Sequence, residues 1–121
     1  MDSSEKVYIN GEDLSIDSMA FFSFVDEIMD TEKIPKMINY LKNRGIKEVR
    51  VLKNIEVSKE NRGKGLGSLA LAEFCKQTPV LLLCDKLEIQ ENNFDLEAFY
   101  IKKGFEIIPF SGLSGPFMLK V

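Results

Sequence analysis

Glycine occupies every second position from residue 63 to residue 67, in a stretch that follows an apolar segment. The surrounding residues 55–74 read IEVSKENRGKGLGSLALAEF, which predicts the end of a strand, a polar turn, a glycine-rich loop and the start of a helix. Glycine lets backbone N–H groups approach a ligand closely, and the first N–H groups of a helix have no intrahelical partner. The stretch therefore predicts an anion site, with Arg62 and Lys64 adding positive charge beside it.

Three kinds of phosphate-binding loop place glycines before a helix, and their spacing separates them. The nucleoside-triphosphatase loop needs a lysine directly before Ser or Thr, but Leu66 and Gly67 precede Ser68 here. The dinucleotide fingerprint GxGxxG is imitated by Gly65, Gly67 and Ala70, with acidic residues about twenty positions further on. The chain after this unit is too short for the second half of a doubly wound sheet, which disfavours that interpretation.

The third kind of loop fits better. Residues 62–67, RGKGLG, resemble the [RQ]xxGx[GA] loop of the GNAT family of N-acetyltransferases, which carries the pyrophosphate of acetyl-CoA. A second segment, residues 93–105 with the sequence NFDLEAFYIKKGF, is similar to the family's NxxAxxxYxKxGF segment. Leu96 stands where the family usually has alanine, while the Asn-to-Tyr spacing agrees. Because both segments occur in the family's order and separation, the chain is identified as a short member of the GNAT family.

The resemblance implies an α/β (α+β) fold, with a twisted, mostly antiparallel central sheet flanked by helices. We expect residues 1–121 to form one such domain. In the family the fourth and fifth strands splay apart, and the backbone groups left unpaired bind the amides of pantetheine; Ile55 and Val57 match those positions. The family also places a hairpin, strands two and three, before the fourth strand, and the interval from Gly45 to Ile55 is short for it. Either an early hairpin replaces part of it, or the sheet has lost strands.

The resemblance also implies the chemistry, in which a neutral primary amine attacks the thioester carbon of acetyl-CoA directly. The cofactor-binding residues that it implies are Ile55, Val57, Arg62, Gly63, Lys64, Gly65, Leu66, Gly67, Ser68, Asn93 and Tyr100. Tyr100 matches the general acid that protonates the leaving thiolate. Glu88 resembles the general base of the family's ribosomal-protein alanine acetyltransferases. A packing role for Tyr100 and an exposed strand position for Glu88 are the alternatives.

Two other functions compete with N-acetyltransfer. A regulatory protein that binds CoA or acetyl-CoA without effective catalysis is favoured by the missing strands. An interaction module without a ligand leaves the glycine-rich loop unexplained. The acceptor amine is not predicted by the sequence, and it is either a small molecule or a protein.

Composition excludes several classes of function. The net charge of -3 lacks the basic excess of a nucleic-acid-binding surface, and the absence of histidine removes Ser-His-Asp chemistry and most zinc sites, so we expect no metal. Cys75 and Cys84 lie in apolar surroundings, which predicts buried, reduced thiols. No apolar run is long enough to cross a bilayer and Met1 is followed by polar residues, so we expect a cytoplasmic protein without membrane partners. An exposed sheet edge leaves a homodimer open.

Local patterns predict the remaining elements. An Asn-Gly pair at residues 10–11, between alternating apolar and polar residues, predicts a hairpin over residues 6–16. Helical periodicity predicts a first helix from Asp17 to Met29, capped by Ser15 or Asp17, and a second that ends at Gly45. Further predicted elements are a strand over 46–57, a helix over 66–76, a strand over 80–89, a helix over 95–103 ending at Gly104, and strands over 105–110 and 116–121.

Overall fold

A computed structural model describes residues 7–57, 65–76, 79–85 and 95–121 of the chain. The described residues form five strands, four α-helices and one 3-10 turn. In chain order these are β1 (Val7–Ser15), α1 (Met19–Asp26), the 3-10 turn (Thr31–Lys33), α2 (Ile34–Asn43), β2 (Glu48–Val57), α3 (Leu66–Phe74), β3 (Val80–Leu83), α4 (Leu96–Lys102), β4 (Glu106–Ser111) and β5 (Pro116–Lys120). The fold is α+β, as expected from the sequence.

The five strands form one mixed sheet in the order β1-β2-β3-β5-β4. β1 and β2 are antiparallel, as are β3 and β5 and also β4 and β5, whereas β2 and β3 are parallel. A parallel pair needs a crossover connection, and α3 lies in the chain between these two strands. α3 therefore begins after the C-terminal end of β2 and returns the chain to the start of β3.

Side chains of β2, β3 and β5 alternate between two apolar clusters, one on each face of the sheet. Val49, Val51 and Leu81 belong to the cluster that also contains Phe21 of α1 and Leu41 of α2. The other cluster holds Leu52, Val80 and Leu82 with Leu71 of α3 and Tyr100 of α4. We call these two halves the α1/α2 layer and the α3/α4 layer. The central strand β3 is apolar on both faces because both layers cover it, as the continuous apolar run from Val80 predicts.

The predicted hairpin at residues 6–16 is wrong. Residues 7–15 form one continuous strand, β1, which pairs along its whole length with β2. The Asn10-Gly11 pair lies at a register shift instead of a turn, because Asn10 pairs with Asn54 and Gly11 pairs with Leu52, leaving Lys53 as an extra residue on β2. Asn-Gly is a turn signal only where the chain reverses; here it lies opposite a β-bulge.

The ends of the helices are set by local capping residues. Ser18, and neither Ser15 nor Asp17, is the N-cap of α1, since its Oγ accepts a hydrogen bond from the Phe21 N–H at 3.1 Å. The expected ends of α2 and α4 are confirmed, because Gly45 and Gly104 follow them with φ angles of 79° and 97°. Asp95 caps α4 by accepting from the Ala98 N–H at 3.0 Å.

Candidate functional site

The parallel strands β2 and β3 pair over a much shorter length than β2 itself. Their register matches Arg50 with Val80, Val51 with Leu81 and Leu52 with Leu82, and within the described residues it extends no further. Beyond the bulge at Lys53, residues 54–57 of β2 still pair with β1 on their other side. On the β3 side, this last part of β2 therefore presents a strand edge within the described part of the chain, the kind of edge that binds an extended ligand through backbone hydrogen bonds.

The two residues predicted to bind pantetheine lie on this part of β2. Ile55 is half-buried and packs against the apolar cluster of the α3/α4 layer, so one side of the β2 edge is lined with apolar surface. Val57 is the last residue of β2, and its backbone pairs with Val7. The structure thus brings Ile55 into the same cluster as Tyr100 of α4.

The start of α3 contains the remaining described part of the predicted phosphate loop. Gly65 is the N-cap residue in the left-handed region, with φ 78°, and no described side chain caps the helix. A side chain at this φ is strained, so glycine suits this turn. Leu66, Gly67 and Ser68 form the first turn, whose N–H groups have no intrahelical acceptor because the i-4 ladder starts with the Leu69 N–H donating to the Gly65 carbonyl. Such an N-terminus attracts anions.

Five predicted site residues lie outside the described residues. They are Arg62, Gly63, Lys64, Glu88 and Asn93. Their roles therefore stay predictions from the sequence.

Tyr100 lies in the middle of α4 and is only 5% exposed. Its ring meets those of Phe99 and Phe105 edge to face, with centroids 5.5 Å apart in both pairs. The same cluster contains Cys84, Met118 and Leu71. Tyr100 is thus oriented by close packing, and its surroundings are apolar.

Sequence reasoning missed a polar junction at the opposite end of α3, which we call the Arg50 clamp and define as Arg50, Asp13 and Phe74. The Arg50 side chain donates from Nε to Asp13 Oδ1 at 2.7 Å and from Nη2 to Asp13 Oδ2 at 3.3 Å. Its Nη1 donates to the backbone oxygen of Phe74, the last residue of α3, at 2.9 Å, and the guanidinium lies 5.2 Å from the Phe74 ring centroid. One side chain therefore connects β1, β2 and α3.

The absence of a side chain at Gly11 lets the Phe74 ring pack against β1. A Cβ at Gly11 would lie 2.2 Å from Cζ of Phe74 and 2.5 Å from the backbone oxygen of Val51. The Phe74 ring consequently packs directly on the β1 backbone. The signal available in the sequence was an arginine between two valines of a strand, but nothing in a single sequence pairs Arg50 with Asp13.

The contacts of the Arg50 clamp shift the pKa values of the groups around it. The hydrogen bond from Arg50 holds the pKa of Asp13 below its ordinary value, and the reciprocal bond raises the pKa of Arg50. Burial raises the pKa of the half-buried Cys75 thiol, while the charges of Lys120 and Arg50 oppose that rise. Cys84 is buried, as predicted, whereas Cys75 is only partly so.

Comparison of the chain with protein-family models, with curated proteins and with solved structures found no match. The interpretation of the site therefore depends on the residues and their geometry. Among the described residues no helix is long and apolar enough to cross a membrane. The same part of the chain contains no group of three or more His, Cys, Asp or Glu side chains placed to hold a metal ion.

Two surface depressions lie near the C-terminal end of α3 and not near the predicted phosphate loop. One, of about 510 Å³, is lined by Ile9, Arg50, Ala70, Glu73, Phe74 and Lys76. The other, of about 290 Å³, is lined by Leu71, Ala72, Cys75, Lys76, Lys103 and Lys120. Within the described residues, the β2 edge and the first turn of α3 have backbone groups without a partner in the sheet or the helix, whereas the two depressions are lined by side chains.

Proposed function

We propose that the chain is a GNAT-type N-acyltransferase of the cytoplasm, which transfers an acetyl group from acetyl-CoA to a primary amine. The observation that carries the proposal is the parallel pair β2–β3, whose register stops at Leu52 and Leu82 while β2 continues to Val57. The glycine-rich loop and the N-terminus of α3 follow that strand directly in the chain. A strand edge beside a helix N-terminus suits a ligand with amides at one end and a pyrophosphate at the other.

In this proposal the pantetheine amides bind the backbone of Ile55 and Val57 as an added strand. The pyrophosphate binds the loop from Arg62 to Ser68, where N–H groups, the helix dipole and two cationic side chains all favour an anion. Asn93 orients the cofactor arm through its amide. The proposal involves no metal.

The chemistry needs a proton removed from the ammonium of the acceptor and a proton delivered to the leaving thiolate. Glu88 takes the first proton, directly or through water, and the neutral amine then attacks the thioester carbon. Tyr100 supplies the second proton as the carbon–sulfur bond breaks, and the resulting phenolate takes back a proton from the nitrogen of the new amide. The position of Tyr100 supports this general-acid role. Tyr100 and Ile55 belong to the same apolar cluster, and the thioester end of pantetheine would lie beside Ile55.

A second candidate is a protein that binds CoA or acetyl-CoA and regulates a partner without turnover. Two observations favour it. Tyr100 is almost completely buried between Phe99 and Phe105, as a purely structural tyrosine would be. In addition, β1 lies directly beside β2, in the position where the resemblance leads one to expect a separate hairpin.

Calorimetric titration of the protein with acetyl-CoA, CoA and ATP, side by side, tests the proposal. We expect both coenzymes to bind and ATP not to bind, and we expect the double variant Arg62→Ala/Lys64→Ala to lose affinity. A double variant of the same type at Lys42 and Lys36, which lie on α2, is the control for loss of two positive charges. If neither coenzyme binds the wild-type chain, the proposed function is wrong.

Thiol release from acetyl-CoA in the presence of a panel of amines separates the two candidates. An enzyme loses turnover in the Tyr100→Phe variant and keeps its CoA affinity. A regulator shows no amine-dependent thiol release in either form. Because phenylalanine preserves the packing with Phe99 and Phe105, this substitution changes the hydroxyl alone.

A further inference from the structure

Within the described residues, the side-chain hydrogen bond that joins the α3 helix to the sheet lies at its C-terminal end. Leu71 is its one fully buried side chain, whereas Leu69 and Ala72 are exposed. The Arg50 clamp adds a charge-assisted contact with a carbonyl oxygen of the last turn, and Gly11 admits the Phe74 ring against β1. At the other end, within the described residues, α3 has no side-chain cap. The described contacts that can set the tilt of α3 therefore include the Arg50 clamp at its C-terminal end.

We propose that Arg50 is a positioning residue for CoA: by fixing the C-terminal end of α3 on β1 and β2, it sets where the N-terminal end lies beside the β2 edge. This inference rests on the proposed function. Arg50 does not touch the ligand in it; the pyrophosphate lies at the other end of the helix, about 13 Å away along nine residues. A short helix is rigid, so a tilt at one end moves the other end.

Arg44 provides a matched control on the opposite face of the sheet. It forms an ion pair with Glu106, donates a hydrogen bond to Tyr40 Oη and lies over the Tyr40 ring at 5.8 Å. Its side chain is 32% exposed and that of Glu106 is 52% exposed, against 27% and 44% for Arg50 and Asp13. The two arginines therefore make contacts of the same kind and exposure, but only Arg50 holds α3.

The test compares CoA titrations of the wild type, Arg50→Met and Arg44→Met, each at a temperature well below its unfolding transition. Methionine keeps an apolar stem over the aromatic ring and removes the donors. We expect Arg50→Met to weaken CoA binding by roughly tenfold or more, because displaced N–H groups at the start of α3 no longer meet the pyrophosphate in hydrogen-bonding geometry. Arg44→Met should change affinity by less than about twofold, whatever it does to thermal stability.

Two further variants separate the helix contact from the strand ion pair. Asp13→Asn keeps an acceptor for Arg50 and leaves the bond to the Phe74 oxygen in place, so it should retain CoA affinity. Arg50→Lys keeps a charge for Asp13, but a single ammonium does not reproduce the planar fork that reaches both acceptors, so it should lose affinity. If the Arg50→Met protein fails to fold, Arg50→Lys takes its place in the comparison with Arg44→Met. Loss of affinity in Asp13→Asn equal to that in Arg50→Lys would overturn the positioning role.

The reactivity of Cys75 gives a readout of helix position that needs no ligand. Cys75 follows α3 directly and is half-buried, while Cys84 is buried. Removing the Arg50 charge by itself would raise the pKa of Cys75 and slow its labelling, because that charge favours the thiolate. Faster labelling in Arg50→Met than in Arg44→Met therefore reports a displaced helix end.

The outcomes distinguish the two proposals. Wild-type binding that is lost in Arg50→Met but kept in Arg44→Met, together with faster Cys75 labelling, supports both. Equal CoA affinity in all variants overturns the positioning role and leaves the proposed function standing. Absence of CoA binding by the wild type overturns the proposed function and, with it, the role of Arg50 in binding, even if the labelling shows that Arg50 holds the helix.

Discussion

The two helical layers cover the same sheet but are attached to it differently. The α1/α2 layer buries completely, at 0% exposure, Phe21, Val25, Ile34, Met37 and Leu41. In the α3/α4 layer the described helices bury only Leu71 and Tyr100, and the sheet contact of α3 is completed by the Arg50 clamp. Among the described residues, α1 and α2 are therefore held by apolar burial, whereas α3 is held by one buried leucine together with a few specific polar contacts, which makes its local displacement easier.

The same leucine-to-alanine change in each layer gives the largest expected effects. Leu41 and Leu71 are both buried, at 0% and 1% exposure. We expect Leu41→Ala to lower the free energy of unfolding by about 3–5 kcal/mol and Leu71→Ala by about 2–3 kcal/mol, because the sparser layer relaxes around the cavity. Urea denaturation measures both. Equal losses would contradict the difference in packing between the layers.

Gly11→Ala probes the contact between β1 and α3 directly. The new Cβ would meet the backbone oxygen of Val51, which cannot move aside as a flexible side chain does, as well as the Phe74 ring. We expect a loss of about 1–3 kcal/mol, typical of overpacking. Asn10→Ala, at the exposed neighbouring position, is the control. A Gly11→Ala protein as stable as the wild type would show that α3 does not rest on β1 as closely as described.

The smallest expected effect is the pH dependence of the Asp13 ion pair. Arg50 lowers the folded-state pKa of Asp13, so the stabilisation is present above the unfolded-state pKa and is lost as pH falls through the folded-state value. Since both side chains are partly exposed, solvent screening limits the stabilisation by this ion pair to about 0.2–1 kcal/mol. Denaturation of wild type and Asp13→Asn should show a constant difference near neutral pH that disappears in acid. A difference that grows as the pH falls would contradict the assigned cause.

Much of the fold was predictable because local signals agree with it. The periodicity of α2, the glycine after it and the apolar run of β3 each predict what the structure contains. The Asn10-Gly11 pair is ambiguous in the sequence, since the same dipeptide suits a hairpin turn and a strand beside a bulge, and only the partner strand decides between them. Strand order and the clamp between Asp13 and Arg50 are long-range features that no local pattern encodes.

The candidate site also has features that the sequence predicts and features that it does not. The start of α3 at Leu66 was predictable from the glycine-rich stretch followed by a helical pattern, and the structure adds that Gly65 before it is left-handed. The near-complete burial of Tyr100 was not predictable, because its cluster also includes Leu52, Leu71 and Met118, which distant parts of the chain supply. Its chemical role stays a prediction from the resemblance.

Hydrogen exchange of the whole chain with and without CoA tests most directly the claim that the α3/α4 layer is the ligand-binding half. We predict added protection at the amides of residues 53–57 of β2 and at the first turn of α3, with α1 and α2 unchanged. Among the described residues, residues 54–57 of β2 pair with β1 on one side and with no strand on the other, and the N–H groups of the first turn of α3 have no intrahelical acceptor. Protection confined to α1 and α2, or absent everywhere, would contradict the account.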